Sequence, residues 1–182
     1  MPRSSRPLAA DILLGAAAGA AATWAMDKVT TVLMEHQPEE VTEREEEVRG
    51  DKSAYEIAAE RAVKLAGRKK LRKKQRRAIG TGIHWTIGIG SGAIYGVIRN
   101  RVRQAGIGSG VAFGIAMFGL LDEAALALLG LSPPPKEFPW QTHARGFAGH
   151  LVLGAVLDAA FDVADLVPNG STRRAVADRV RS

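Results

Sequence analysis

The stretch that decides the fold is residues 79–98, IGTGIHWTIGIGSGAIYGVI, which carries no aspartate, glutamate, lysine or arginine on any face. A water-soluble helix keeps one face wet and charged, and this segment has none to offer. About 20 residues of this kind cross a hydrocarbon core. The run does not alternate with period two and is far longer than an ordinary strand, so it reads as a membrane-crossing helix, with a soluble helical bundle as the competing fold.

Working outward, three more apolar stretches share this character: residues 8–34, broken only by Asp11, Asp27 and Lys28; residues 106–131, carrying Asp122 and Glu123; and residues 146–167. Between the first two lies a hydrophilic insert, residues 35–78. It runs from an acidic segment (Glu39, Glu40, Glu43, Glu45, Glu46, Glu47) to a basic one, Arg68 to Arg77. Ser53 followed by Glu56 is a capping-box signature and Gly67 a plausible stop, which predicts a helix over Ala54 to Ala66. Its Tyr55, Ala59, Ala62 and Ala66 share a weakly apolar face that would rest on the membrane surface or on the bundle. Pro133, Pro134 and Pro135 force a turn before the last stretch, and Phe138, Pro139 and Trp140 suit the headgroup interface. A basic tail, residues 168–182, follows. The expected fold is all-α: an integral membrane bundle of four transmembrane helices with a charged, partly helical insert between helices 1 and 2, residues 1–182 forming one membrane domain.

Composition agrees with close helix packing. Of 182 residues 46% are hydrophobic but only 5% aromatic, with 20 glycines. A mean hydropathy of -0.03 averages oily spans with the polar insert and ends. With no cysteines, disulfides, thiolate metal sites and a cysteine nucleophile are excluded. The formal charge of +6 sits beside the apolar stretches. There it suits anionic lipid at Arg68–Arg77 rather than nucleic acid, since no aromatic residues interleave the basic run. Two arginines precede the first stretch, and no small-residue cleavage site ends it, so it reads as an uncleaved span.

Small residues recur four apart: Gly15, Gly19 and Thr23; Gly88, Gly92 and Gly96; Gly106, Gly110 and Gly114. In lipid, helices associate through such smooth ridges and through polar contacts, so a tight bundle is expected, with homo-oligomers formed through any ridge left unused. Gly80, His84, Gly88, Ser91 and Tyr95 share one face of the second helix; His143, Gly146, His150, Gly154 and Asp158 share one face of the fourth. Asp27 and Asp122 or Glu123 would meet them in the interior. Ionisable groups at membrane depth usually pair or face a cavity. The expectation is therefore a polar core cluster of His84, His150, Asp158, Asp122, Glu123 and Asp27. It is either a proton-responsive or solute-binding site, or interhelical hydrogen-bond glue. No compact metal-ligand spacing, phosphate loop, nucleophile elbow or His-Glu-x-x-His is present. Gly88, Gly90 and Gly92 lie inside an apolar span, where packing explains them. No catalytic residue, metal or cofactor is expected.

Gly130-Leu131-Ser132-Pro133-Pro134, then Phe138-Pro139-Trp140, then Gly149-His150-Leu151-Val152 with Asp158 eight residues after the histidine, resembles the YagU-like family of bacterial inner-membrane proteins, a domain of unknown function. His84-Trp85 with Tyr95 is similar too. The resemblance implies a multi-pass inner-membrane protein loosely associated with acid tolerance and without established biochemical activity. It puts weight on Pro133, Pro134, Pro139, Trp140, Gly149, His150 and Asp158. The long insert departs from that pattern. Four spans place both termini on one side. Lysine and arginine counts conflict over which side that is, and the resemblance leans to cytoplasmic termini. The leading expectation is a non-enzymatic membrane protein of envelope or acid-stress physiology. A small proton-coupled transporter or channel, and a scaffold binding a partner or lipid through the insert, are the alternatives.

Overall fold

The computed structural model describes residues 6–67, 70–101 and 108–166. Among them the regular elements are helical: α1 (Leu8–Glu35), α2 (Glu39–Arg49), α3 (Ala54–Leu65), α4 (Lys73–Arg101), α5 and α6 (Trp140–Leu166). Helix α5 runs unbroken through Ser109–Met117, a π-helical Phe118–Ala125 and Leu126–Leu128. Its Leu126 N–H donates to the Leu121 carbonyl, five residues back. Gly106 and residues 168–182, a ridge member and the basic tail, lie outside the described residues.

The long helices stack in the order α4, α1, α6, α5, each antiparallel to its neighbour. The α1–α4 crossing is backbone against backbone. A Cβ on Gly92 would fall 2.5 Å from Gly19 Cα, and one on Gly19 would fall 2.6 Å from the Gly88 carbonyl oxygen. Gly110 and Gly114 meet not another glycine-x-x-x-glycine ridge but Gly154 and the His150 carbonyl of α6. Such approach is open only to residues without a side chain, which is why the small residues lie on these seams.

Among the long helices, polar side chains are buried while large apolar ones face outward. Asp11, Thr23, Ser91, Arg99, Asn100 and His150 are buried, whereas Leu13, Trp24, Ile94, Leu120, Leu128 and Val163 are more than half exposed. Three helices are long and apolar enough to cross a membrane: Leu8–Glu35, Gly110–Leu128 and Trp140–Leu166. This corrects the expected four spans, because α4 does not qualify. Its six glycines, its threonines and serine, and His84, Trp85 and Tyr95 dilute the isoleucines, so its uncharged stretch, residues 79–98, is not strongly apolar. The boundaries shift as well. Helix α6 begins at Trp140 rather than near Gly146, because Pro139 ends the extended chain and its carbonyl accepts from Thr142 N–H in the first turn. Helix α4 begins inside the expected insert, at Lys73.

The insert holds two helices. The acidic run forms α2, and α3 carries the full capping box, Ser53 accepting from the Glu56 N–H while the Glu56 carboxylate accepts from the Ser53 N–H. Ala59 is completely buried, and α3 rests on the N-terminal half of α4. Arg76 turns inward to Glu56 at 3.2 Å and Glu60 at 3.4 Å, so part of the basic cluster is neutralised within the fold.

Candidate functional site

At the insert end of the bundle, α1, α3, α4, α5 and α6 enclose a cavity of about 330 Å³. Asp27 reaches it from the last third of α1, His84 from α4, Asp122 and Glu123 from the π-helical turn of α5, and His143 from the first turn of α6. His84 Nε2 lies 2.9 Å from Asp27 Oδ1, and the Tyr55 ring of α3 packs on the imidazole with centroids 5.1 Å apart. His143 places Nδ1 2.6 Å from Glu123 Oε1 and Nε2 3.0 Å from the Pro135 carbonyl. Both of those partners are acceptors, so with Glu123 ionised both contacts are hydrogen bonds only when the ring carries two protons. His150 is buried with Nδ1 3.0 Å from the Gly146 carbonyl and 3.7 Å from Asp122 Oδ2. Behind His84 a void of about 20 Å³, bordered by Thr23, Ser91 and His150, has room for roughly one water molecule.

The insert roofs this vestibule. Arg145 of α6 grips Glu45 of α2 with contacts of 2.6 and 2.8 Å and reaches Gln37 at 2.6 Å, while Thr142 donates to Glu45 at 3.1 Å. Burial opposes ionisation of Glu45. Arg145, as hydrogen-bond donor and charge, together with Arg49 and the Thr142 hydroxyl, outweighs it and holds the carboxyl below the ordinary glutamate range. Burial first, then the charges of Asp122 and Asp27, push the Tyr55 phenol up to about 12. The Arg61 guanidinium ties α3 to the end of α5 through the carbonyls of Leu129 and Gly130, 2.5 and 2.7 Å away.

Asp158 is not part of this group, which corrects the single cluster expected from the helical wheel. It shares a face with His150 but lies eight residues on, about 12 Å along the axis. There it accepts from the Tyr95 hydroxyl and from Arg99 Nε at 3.3 Å. Arg99, only 2% exposed, also meets Asp162 and, at 2.9 Å, Asp165. Beside it Asp11 accepts from Asn100 at 2.6 Å and Arg101 at 2.7 Å. A buried apolar layer of Ala18, Ala22, Leu153, Leu157, Phe161 and the Tyr95 ring separates the two polar ends.

Of the residues singled out by resemblance, Pro133 lines the cavity, Pro134 precedes the Pro135–Glu137 turn, and Trp140 is 72% exposed. Gly149 admits α1, since a Cβ there would meet Thr30 Cγ2 at 2.6 Å. Sequence reasoning missed Arg99, Arg145, Glu45 and the pairing of His143. The spacing of Asp158, Asp162 and Asp165 on one helical face was the available signal for Arg99; nothing local pairs Glu45 with Arg145, a hundred residues apart. Among the described residues no group of three histidines, aspartates or glutamates is placed to hold a metal ion.

These features define a class: an all-helical bundle with spans of membrane-crossing length and a polar vestibule at one end. The model of a family described as protein of unknown function (DUF1440) matches residues 64–159, more than half the chain, and the protein belongs to that family. The match takes in His84, Asp122, Glu123, His143, His150 and Asp158; Asp27, Glu45 and Tyr55 precede it. No match was found among curated proteins or solved structures.

Proposed function

We propose that this chain is a non-enzymatic integral protein of a bacterial inner membrane whose vestibule is a proton-responsive site, serving envelope or acid-stress physiology in the manner of the YagU-like proteins its 130–158 segment resembles. The observation that carries the reading is that two imidazoles and three carboxylates from four helices line one open cavity beneath a helical roof, with the buried His150 imidazole 3.7 Å behind Asp122. The inverted distribution of side chains supports the bilayer: outward-facing leucine, isoleucine and tryptophan need hydrocarbon, and interior polar groups need one another. In this reading α1, α5 and α6 cross the bilayer, and α4 packs its glycine face against α1 with its isoleucines outward. Protonation changes act on a shared set of neighbours: Asp27, Tyr55, Arg49, Lys52, His84, Asp122, Glu123, His143, Arg145 and His150. The apolar layer beyond His150 favours a one-sided site over a transport path.

The absence of native cysteine makes the topology directly testable. Single cysteines at Leu13 and Leu120 should resist a membrane-impermeant maleimide, and one at Glu46 should react from one side only. His84→Asn and His143→Asn should stay folded in detergent and alter survival across a pH series, whereas His36→Asn, outside the vestibule, should not. Recovery of the wild-type protein in the soluble fraction, or pH profiles unchanged in both vestibule variants, would overturn the reading.

A further inference from the structure

We propose that the vestibule binds a protonated amine, with the Asp122 carboxylate as counter-ion and the rings of Tyr55, Phe118 and Phe138 as its walls. This rests on the reading that the vestibule is the functional centre and adds the chemistry of its ligand.

The acids around the cavity differ in one respect. Asp27 is bonded to His84, Glu123 to His143, and Glu45 to Arg145 and Arg49. Asp122 makes no hydrogen bond among the described residues. The nearest cationic candidate, His150 Nδ1, stands 3.7 Å away and is 3.0 Å from the Gly146 carbonyl, its hydrogen-bond acceptor. The basic residues in the lining are committed elsewhere: Arg49 and Arg145 to Glu45, and Lys52 to Glu60 at 2.9 Å. A partly accessible carboxylate is thus left open on a cavity of about 330 Å³, within the usual range for small-molecule sites.

The surroundings select the sign of the occupant. Asp27 and Glu123 line the same space as Asp122, so three carboxylates converge on it. An anion would approach three carboxylates and gain only guanidinium groups already holding Glu45. A metal ion would lack a third ligand among the described residues. A primary ammonium supplies up to three N–H donors, one for Asp122, while its positive charge is favoured over the face of an aromatic ring. The π-helical turn puts this acid on a widened stretch of α5, a distortion that recurs at functional sites. The same ammonium chemistry is carried by a free amine and by an aminolipid headgroup.

The test is isothermal titration of the full chain in detergent with benzylamine, ethanolamine, benzyl alcohol and benzoate. The amines should bind and the alcohol and benzoate should not. Asp122→Asn should weaken amine binding about tenfold or more, the scale of a lost hydrogen bond to a charged group, and Glu47→Gln, on the exposed face of α2, should leave it unchanged. Should Asp122→Asn fail to fold, Phe138→Leu carries the test, with roughly threefold weaker benzylamine binding from the lost ring. Repeating the titration in nanodiscs of phosphatidylglycerol with and without phosphatidylethanolamine separates the sources. Ethanolamine that binds more weakly beside the aminolipid marks the headgroup as occupant; equal binding marks the free amine. No amine binding, binding of benzoate instead, or amine affinity unaffected by Asp122→Asn would overturn the proposal. Such a failure beside altered pH profiles for the histidine variants removes only the ligand assignment; amine binding with unchanged pH profiles removes only the proton response.

Discussion

Replacing Gly92 by alanine tests the close α1–α4 crossing on which the bundle is built. The added Cβ would stand 2.5 Å from Gly19 Cα and 2.7 Å from Gly19 N, nearer still to the Gly15 carbonyl oxygen, and every one of these is backbone. Moving the Gly19 contact out to an ordinary 3.4 Å requires α1 to retreat by about 0.9 Å. A gap of that size forfeits roughly a quarter to a half of the dispersion energy of the pairs it separates. Overpacking of this kind costs about 1–3 kcal/mol, and alanine's better helix propensity returns only about 0.5–1 kcal/mol. Gly90, on the same helix, is an internal control, because a Cβ there meets nothing within 4 Å. The expected result is that Gly92→Ala loses about 1–2 kcal/mol in reversible unfolding by a denaturing detergent while Gly90→Ala is neutral or slightly stabilising. Equal stability of the two variants would refute the reasoning, since it would mean that the helices do not approach through Gly92.

Two further outcomes follow from the charged networks. Arg99→Leu strips Asp158 of its cation inside the bundle and should cost about 3 kcal/mol, near the lower end for breaking a buried pair because Asp162 and Asp165 reach solvent. Arg99→Lys should recover only part of this, as one ammonium cannot span three carboxylates, and wild-type unfolding of Arg99→Leu would contradict the network. The carboxyl of Glu45 titrates below the ordinary range in the folded chain, so its contribution is present above the unfolded-state value and fades as the pH falls through the depressed one. The protection of residues 39–49 against hydrogen exchange, measured relative to the intrinsic amide rate at each pH, should therefore fall in acid as Glu45 is protonated, and should fall at neutral pH in Arg145→Ala; protection independent of both would show that α2 is held by something other than Glu45.

Much of the architecture was legible because it depends on short-range pattern. An uncharged run of 20 residues without period-two alternation reads as one long helix, and Ser53 with Glu56 caps α3 through contacts three residues apart. The helical wheel placed His84 and Ser91 on one face, and they are indeed both inward-facing. It failed with Asp158, since a wheel records angle and discards height, and eight residues of rise carry Asp158 to the opposite end of the bundle. It also passed over α4's diluted hydropathy: absence of charge is not the same quantity as affinity for hydrocarbon.

What the sequence by itself determined is that the four long stretches and the capped segment of the insert are helices, and which sides of them are small, polar or oily, because propensity, capping and periodicity act within one or two turns; the helix formed by the acidic run, α2, it did not reveal. Only the tertiary structure decided that Asp27, His84, Asp122, Glu123 and His143 share a cavity, that Asp158 belongs with Arg99, and that Glu45 roofs the site through Arg145. Those pairings depend on the order in which the helices stack and on how far each slides along its neighbour. Both are set by backbone contact at the glycines, a long-range fit that no local stretch of residues encodes.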